Sequence, residues 1–312
     1  MTRYSGPCPA IGVRDLVVKG QDGFTLDIRE LDIAPGSMVA LIGRNGSGKS
    51  TFLDAALSLL DVNSGKVQIF GETLAKLPTT HPVRARIGAQ VQGVTWSWSI
   101  KVGEIMAIHN SLYGSTYAKI VDGLGVRSLF PGMYRKLSTG QRRRVDLAMA
   151  LAHKPDLIIL DEPSSGLDRQ YRTAFHEILA ERRAAGATIL IASHEGRDVG
   201  MADRILWFEK GEIIEDSAPG DIIGRRVGHF VGIVDDAAPT LLDRLENDLA
   251  PSARSHARDG SKLVLIGEND LRTPFIAAME RHSVAGYVVR PARSSDLLDL
   301  VRNSEQFDGG RP

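Results

Sequence analysis

The sequence predicts an α/β fold, in which a parallel sheet flanked by helices is followed by a second, smaller α/β domain. Short β-branched runs alternate with helical patterns from Ile11 to about Ser217, as they do in parallel sheets. The runs Leu157 to Leu160 and Thr188 to Ala192 are continuously apolar, which is typical of strands buried on both faces. A second alternation of strand and helix patterns begins near Val227.

The elements of the first unit follow from local patterns. Ser37 to Leu41 is a predicted strand, and Ser50 to Leu60 is a predicted helix because its apolar residues form one stripe. The stretch from about Gly93 to Leu137 turns helical between glycine-containing breaks, which suggests an inserted helical subdomain. Ile205 to Phe208 and Glu212 to Glu215 flank a short turn, so we expect a hairpin that closes the unit.

The second unit is a predicted small α/β domain over residues 227–302, after a first domain over residues 1–220. A tail over residues 303–312 is predicted to be disordered. The expected strands and helices of this unit are Val227 to Val234, Pro239 to Leu249, Lys262 to Ile266, Asp270 to Arg281, Gly286 to Arg290 and Ser294 to Val301.

Length and composition restrict the class of protein. The chain has 312 residues, which at about 150 residues per domain suggests two domains. Its 38 Lys and Arg residues balance 38 Asp and Glu residues, so nothing favours a nucleic-acid partner. No apolar stretch reaches the roughly 18 residues that cross a bilayer, and Cys8 is the single cysteine. We therefore expect a cytosolic protein, or one that reaches a membrane through a partner.

Residues 43–50, GRNGSGKS, match the phosphate-binding pattern G-x-x-x-x-G-K-[ST] between a predicted strand and a predicted helix. Glycines let the backbone N–H groups surround phosphate oxygens, and Lys49 adds a full positive charge. The Ser50 hydroxyl can ligate Mg²⁺. The predicted ATP-binding residues of this P-loop are Gly43, Arg44, Asn45, Gly46, Ser47, Gly48, Lys49, Ser50 and Thr51.

Two carboxylates, Asp161 and Glu162, end the apolar strand that begins at Leu157. Ligand sites of parallel α/β sheets lie at the carboxyl ends of strands. We therefore predict that Asp161 holds Mg²⁺ through water and that Glu162 acts as the general base on the attacking water.

The sequence LSTGQ, residues 137–141, lies between these two motifs. With them it makes residues 11–217 resemble the ATP-binding subunits of ABC transporters, where this motif commonly reads LSGGQ. The resemblance implies a P-loop NTPase core with an antiparallel β edge. It also implies that two copies, or one copy and a homologous subunit, pack head to tail around two ATP molecules. The signature residues expected to contact the partner's ATP are Ser138, Gly140 and Gln141; Thr139 departs from the common form.

The same resemblance assigns three further positions. Gln92 matches the glutamine that ligates Mg²⁺ and senses the membrane subunit, with Gln90 as a rival for that role. Asp168 matches the D-loop aspartate, and His194 matches the switch histidine that contacts the γ-phosphate. Glu162, His194, Gln92 and Lys49 are thus the predicted catalytic residues.

The family's aromatic residue for adenine stacking is missing, because its expected position near Val18 and Lys19 holds no aromatic side chain. Phe24 and Tyr4 are the candidate substitutes. Three successive arginines, residues 142–144, are interpreted as a solvated, ion-paired helix face rather than a basic patch.

The residues between the motifs bear on the partner. Trp96 and Trp98 fall where the family meets its membrane subunit, and packing inside the helical subdomain is the alternative. Export is favoured over import because residues 86–92, 102–104 and 112–114 resemble the exporter branch.

The resemblance predicts an ATPase subunit at the cytoplasmic side of the cell membrane, bound to a multi-helix permease that selects the substrate. A soluble ABC-type ATPase of DNA repair or translation is the alternative of a different class. Lys49 and Ser138 lie only 89 positions apart, which leaves no room for the long coiled coil of the repair members.

Overall fold

The computed structural model describes residues 8–20, 23–91, 99–114 and 118–302, and these form two compact units that divide between Asp216 and Ser217. The strands are β1 (Ile11–Lys19), β2 (Thr25–Ile33), β3 (Met38–Ile42), β4 (Ser64–Ile69), β5 (Ile87–Gln90), β6 (Leu157–Asp161), β7 (Thr188–Ala192), β8 (Arg204–Glu209), β9 (Glu212–Ser217), β10 (Phe230–Val234), β11 (Ser255–Asp259), β12 (Lys262–Gly267) and β13 (Tyr287–Pro291). The α-helices are α1 (Lys49–Ala56), α2 (Pro82–Ala85), α3 (Val102–Tyr113), α4 (Ala118–Gly123), α5 (Thr139–Leu151), α6 (Arg169–Ala184), α7 (Gly196–Gly200), α8 (Pro219–Ile222), α9 (Pro239–Leu249), α10 (Arg272–Arg281) and α11 (Ser294–Arg302).

The larger sheet of the first unit has the strand order β5-β6-β7-β3-β8-β9. Strand β7 pairs in parallel with β6 on one side and with β3 on the other. The register places Ala192 opposite both Asp161 and Leu41. The carboxyl ends of β6, β7 and β3 therefore lie side by side at one edge of the sheet.

Apolar burial accounts for this arrangement. Every residue of β3, β6 and β7 is buried, as their continuous apolar runs predict. Strands β2, β1 and β4 form a second sheet, in which β1 pairs antiparallel with both neighbours. Its inner face shares a core with α1, where Phe52 meets Phe208 at a ring-centroid distance of 5.7 Å. The predicted α/β core with an antiparallel β edge is thus present.

Two local details explain where elements end. The helix predicted from Ser50 to Leu60 stops at Ala56, because Ser58 has φ +56°, a left-handed conformation that cannot continue a right-handed helix. The predicted hairpin forms between β8 and β9, with Lys210 and Gly211 at φ +47° and +87° in its turn. Positive φ at both central residues defines the turn that matches strand twist.

The second unit forms a four-stranded antiparallel sheet in the order β11-β12-β10-β13. Its chain order β-α-β-β-α-β is that of the ferredoxin-like motif, followed here by α11. The predicted alternation missed β11, because the sequence SHARD has no apolar run and lies on an edge strand, where charged residues are common. No helix in the described ranges is long and apolar enough to cross a membrane.

Gly88 on β5 provides a test of the packing between the sheet and α5. A Cβ atom there would lie 1.9 Å from the Ala150 carbonyl oxygen and 2.6 Å from Pro155 Cγ. We predict that Gly88→Ala lowers the free energy of unfolding by about 1–3 kcal/mol, the usual cost of overpacking. Thermal unfolding followed by circular dichroism measures the effect.

Gly123→Ala is the matched control, because its Cβ would meet only Ile178 Cδ1 at an ordinary 3.8 Å. Its melting temperature should equal or exceed that of the wild type. Equal melting temperatures for the two variants would contradict the packing described here.

Candidate functional site

The loop between β3 and α1 forms one wall of a cleft and depends on glycine. Gly43 has φ +147°, and a Cβ atom there would lie 2.2 Å from the Phe208 carbonyl oxygen. Gly48 has φ +109° and is the N-cap of α1, where no side chain caps the helix. The first-turn N–H groups of a helix have no intrahelical partner, so this end of α1 is suited to bind an anion.

Lys49 begins α1 and is buried beneath the loop. Its Nζ donates hydrogen bonds to the carbonyl oxygens of Gly43, at 2.6 Å, and Arg44, at 3.1 Å. Burial lowers the pKa of Lys49, and the nearby carboxylates of Glu162 and Asp161 oppose that shift. The ammonium group is therefore held in place by the backbone of the loop itself.

The cleft has a volume of about 1340 Å³. Seven predicted loop residues line it: Asn45, Gly46, Ser47, Gly48, Lys49, Ser50 and Thr51. Gly43 and Arg44 instead hold Lys49 through their carbonyl groups. Ser47 Oγ is buried, and no hydrogen-bond partner for it exists in the described part of the chain, as expected for an atom that awaits a ligand.

The carboxylate pair lines the same cleft as the loop. Asp161 ends β6 and is only 2% exposed, and Glu162 follows it. Burial raises the pKa of Glu162, Asp161 raises it further, and Lys49 counteracts both. His194 Nε2 lies 3.3 Å from Glu162 Oε1, so the ends of β6 and β7 bring two predicted catalytic side chains into contact.

The backbone of Glu162 adopts φ +50°, in the left-handed region that a glutamate rarely occupies. Its N–H donates to the Ala192 carbonyl oxygen at 2.9 Å. Such strained residues persist only where their surroundings determine them, and they cluster at functional sites.

The signature motif starts α5. Ser138 is the N-cap: its Oγ accepts from the Gln141 N–H at 3.3 Å, and its own N–H donates to Gln141 Oε1 at 3.0 Å. A Cβ atom on Gly140 would lie 2.6 Å from the Gly166 carbonyl oxygen, so these two turns touch backbone to backbone. Ser138 and Asp168, the N-cap of α6, are exposed. Of the described signature residues 138–141, only Thr139 lines the cleft.

Four residues singled out in the sequence lie outside the described residues: Gln92, Trp96, Trp98 and Tyr4. Gln90, the rival of Gln92, ends β5 and lines the cleft. Its Oε1 atom is buried and has no hydrogen-bond partner among the residues that the structure describes. Phe24, the other candidate for adenine stacking, also lines the cleft.

Sequence reasoning missed a second wall of the cleft, on and before α5. Tyr134 Oη donates to Asp146 Oδ1 at 2.8 Å, and burial raises the pKa of Asp146 to about 6. Arg143 donates to the Asp161 carbonyl oxygen at 3.4 Å. The sequence did contain a signal for this wall of the cleft. Arg142 and Asp146 are four positions apart and so share one helix face, and both line the cleft.

The interpretation of residues 142–144 as a solvated face was wrong for Arg144. This side chain is buried, its guanidinium carbon lies 3.9 Å from the Tyr171 ring centroid, and it donates to the Leu124 carbonyl oxygen at 3.1 Å. A guanidinium is tolerated there because an aromatic face and carbonyl groups replace its water.

This fold and this loop define a class, the P-loop nucleotide-binding proteins. The sequence model of the family described as ABC transporter matches residues 26–165. Energy-coupling factor transporter ATP-binding protein EcfA1 of Latilactobacillus sakei is 33% identical over 62% of this chain and 71% of its own length. The chain belongs to the ABC transporter family of ATP-binding proteins. The predicted family, fold and ATPase activity are thereby confirmed.

Other relatives extend this result. Nod factor export ATP-binding protein I of Cupriavidus metallidurans is 29% identical over 92% of this chain and 95% of its own length. A solved ATP-binding subunit of an ABC transporter is 25% identical over 69% of this chain and 92% of its own, with a TM-score of 0.63. A dimeric ATP-binding cassette with bound ADP and phosphate shares the fold, with a TM-score of 0.58. It is 22% identical, and the match covers 67% of this chain and 98% of the cassette's own length.

Proposed function

We propose that this protein hydrolyses ATP as one of a pair of ATP-binding subunits and thereby drives export through a separate membrane permease. The contact between Glu162 and His194, which both line the cleft, carries the proposal, since it joins a general base to a phosphate-contacting side chain. Lys49 lies at the same edge of the sheet, where its charge offsets the β and γ phosphates.

The burial of Glu162 suits it to act as the base. A raised pKa brings a carboxylate closer to the operating pH, where general-base catalysis is most effective. The Glu162 carboxylate takes the proton of the attacking water, and His194, 3.3 Å away, contacts the γ-phosphate. The loop amides and Lys49 stabilise the charge that develops on the phosphate oxygens.

The residues of the cleft fit Mg²⁺. This ion is usually held by one or two carboxylates together with substrate phosphates, and it prefers oxygen donors. Asp161 and the Ser50 hydroxyl supply such donors in the cleft, whereas no group of three or more His, Cys, Asp or Glu side chains that could hold a metal ion exists in the described ranges. When bound, the ion neutralises phosphate charge. Gln92 remains the predicted third ligand, with Gln90 as the alternative.

A pair of subunits explains the placement of the signature. Ser138 is exposed, and of the described signature residues only the adjacent Thr139 lines this chain's own cleft. The N-terminus of α5, which Ser138 caps, is an anion-binding end. We infer that Ser138, Gly140, Gln141 and Asp168 serve the ATP of the opposite subunit, and the dimeric state of a structural relative supports this arrangement.

The names of the relatives support export through a permease. A relative named for export aligns over 92% of this chain, whereas EcfA1 aligns over 62%. These relatives are named as transporter subunits, which disfavours DNA repair and translation. The subunit therefore acts at the cytoplasmic side of the cell membrane, held there by a multi-helix permease.

Replacement of the base tests the proposed activity. We predict that Glu162→Gln lowers ATP turnover at least 100-fold, within the range of about 10²–10⁴ for general-base catalysis. ATP still binds, because Lys49 and the loop are intact, so the variant accumulates as an ATP-bound dimer. Steady-state ATPase rates and light scattering with ATP and Mg²⁺ measure both effects.

Glu195→Gln is the matched control, since it removes the carboxylate of the residue that follows His194. This side chain is half exposed, and its Oε2 atom lies 3.9 Å from Arg172 Nη1. Its turnover should stay within about twofold of the wild type, because Glu195 does not line the cleft and surface substitutions usually change stability by no more than about 0.5 kcal/mol. Turnover of Glu162→Gln near the wild-type rate would refute the assignment of the base.

Ser138→Arg tests whether the signature acts across the pair. We predict that the variant binds ATP on its own loop with unchanged affinity but loses turnover, because the bulky side chain blocks the approach of the second subunit. Ser138→Ala is the control for bulk: it removes the hydroxyl and with it the helix cap, worth about 1 kcal/mol, but leaves the approach of the second subunit open. Fluorescent-ATP titration and ATPase assays separate binding from turnover, and loss of both in Ser138→Arg would place the signature in a single-chain site.

Phe24 is the proposed platform for the adenine ring. It lines the cleft beside Gly48, and its ring is 3.2 Å from where a Gly48 Cβ would lie. We predict that Phe24→Leu raises the KM for ATP about tenfold, because base stacking on an aromatic ring is worth about 1–3 kcal/mol. Phe24→Tyr keeps the ring and should keep the KM. An unchanged KM in Phe24→Leu would place the adenine elsewhere.

A further inference from the structure

A buried polar network lies beside the carboxyl ends of β6 and β7, and the catalytic roles above do not use it. The Asp198 carboxylate on α7 accepts hydrogen bonds from Ser164 Oγ at 2.8 Å and Ser193 Oγ at 2.6 Å. His176 Nε2 on α6 donates to it at 2.6 Å. These four residues, called here the Asp198 network, are each no more than 2% exposed.

Burial of these groups has to be explained, because it is costly. A buried carboxylate loses its hydration, and hydrogen bonds in a low-dielectric interior only partly repay that loss. Apolar side chains of similar volume would often stabilise a fold equally well. His176 Nδ1 is also buried, and no hydrogen-bond partner for it exists in the described part of the chain. The network is therefore poorly explained by stability alone.

The two hydroxyl groups of the network come from the loop that carries Glu162 and the loop that carries His194. Ser164 lies two positions after Glu162, and Ser193 immediately precedes His194. Ser164 donates to Oδ1 of Asp198, and Ser193 donates to Oδ2. One buried carboxylate thus joins the loop that carries Glu162 to the loop that carries His194, and these two side chains meet at 3.3 Å.

Backbone geometry shows why these loops need such a link. Glu162 holds a left-handed φ of +50°, a conformation that costs about 1–3 kcal/mol and must be imposed by its surroundings. Its N–H bond to the Ala192 carbonyl fixes one end of the loop. The Ser164 hydroxyl fixes the other end, two residues later, on Asp198.

We propose that Asp198 is a positioning residue that sets the distance between Glu162 and His194, with Ser164 and Ser193 as its two arms. His176 orients the Asp198 carboxylate from α6. This proposal rests on the proposed function, because it assigns a purpose to the spacing of the base and the switch histidine. Misplacement of catalytic groups by about 1 Å can cost up to 100-fold in rate, so such a link affects turnover strongly.

The first test uses the purified full chain and removes one arm at a time. We expect Ser164→Ala and Ser193→Ala each to lower kcat about tenfold or more while the KM for ATP stays within about twofold, because the P-loop is untouched. Ser164→Thr retains the hydroxyl and should restore kcat. Melting temperature and fluorescent-ATP binding, measured on the same samples, allow turnover to be expressed per folded molecule.

Thr188→Val is the matched control for lost hydrogen bonding. Thr188 is buried at the opposite end of β7 from Ser193, and its Oγ1 accepts from the Gly36 N–H at 3.0 Å. The variant should lower the melting temperature as much as the serine variants but keep the wild-type kcat. An equal loss of kcat in Thr188→Val would overturn the positioning role.

The second test asks whether the network acts through Glu162. Ser164→Ala is combined with Glu162→Gln, and hydrolysis of bound ATP is followed in a single turnover. If Asp198 positions the base, the added substitution changes the residual rate by less than about twofold, because coupled residues are not additive. If Ser164→Ala lowers the hydrolysis rate of the Glu162→Gln variant by as large a factor as it lowers that of the wild type, the network supports only folding.

The outcomes separate this proposal from the proposed function. Wild-type turnover in Glu162→Gln would refute the assignment of Glu162 as the base, and the positioning role of Asp198 would fall with it. An inactive Glu162→Gln, together with wild-type kcat in both Ser164→Ala and Ser193→Ala, would confirm the base and overturn the role of Asp198. A loss of kcat in both serine variants that is absent in Thr188→Val supports the positioning role of Asp198.

Discussion

Parallel pairing of β6, β7 and β3 is the constraint on which the rest of this protein depends. Since β7 lies between the other two strands, their carboxyl ends meet at a single edge, and each strand is followed by one part of the site. The loop with Lys49 follows β3, Glu162 follows β6, and His194 follows β7. Residues more than 100 positions apart are thus brought together by backbone hydrogen bonds, before any side chain contributes.

The charged groups of the site are held by one another and by the backbone of the loop. Lys49 donates hydrogen bonds to two carbonyl groups of its own loop, which hold its ammonium group in the cleft. Its charge lies among the carboxylates of Asp161 and Glu162, which lower the cost of burying an ammonium group. Loop, lysine and carboxylates therefore stabilise one another, which is why so polar a cleft is compatible with a stable fold.

The parts predictable from sequence were those with a local signal. The phosphate loop, the strand ending at Asp161 and the strand before His194 each carry their pattern within about ten consecutive residues, and each lies where it was predicted. The bond from His176 to Asp198 joins positions 22 apart, and that from Ser164 to Asp198 joins positions 34 apart. Neither pair has a periodic spacing, so only the packing of α6 and α7 reveals them. The burial of Arg144 could not be predicted from the sequence for a related reason. Its charge is balanced by carbonyl groups and an aromatic ring rather than by a carboxylate.

The close approach of Gly140 to the Gly166 carbonyl has a consequence for communication between nucleotides. No side chain separates the two turns, so neither can move toward the other without displacing it. In the proposed pair, the turn at Gly140 faces the second subunit's ATP, while the turn at Gly166 continues the loop that carries this subunit's own Glu162. In that proposed pair, the contact is a mechanical linkage between two binding events, through which each subunit responds to the occupancy of both sites.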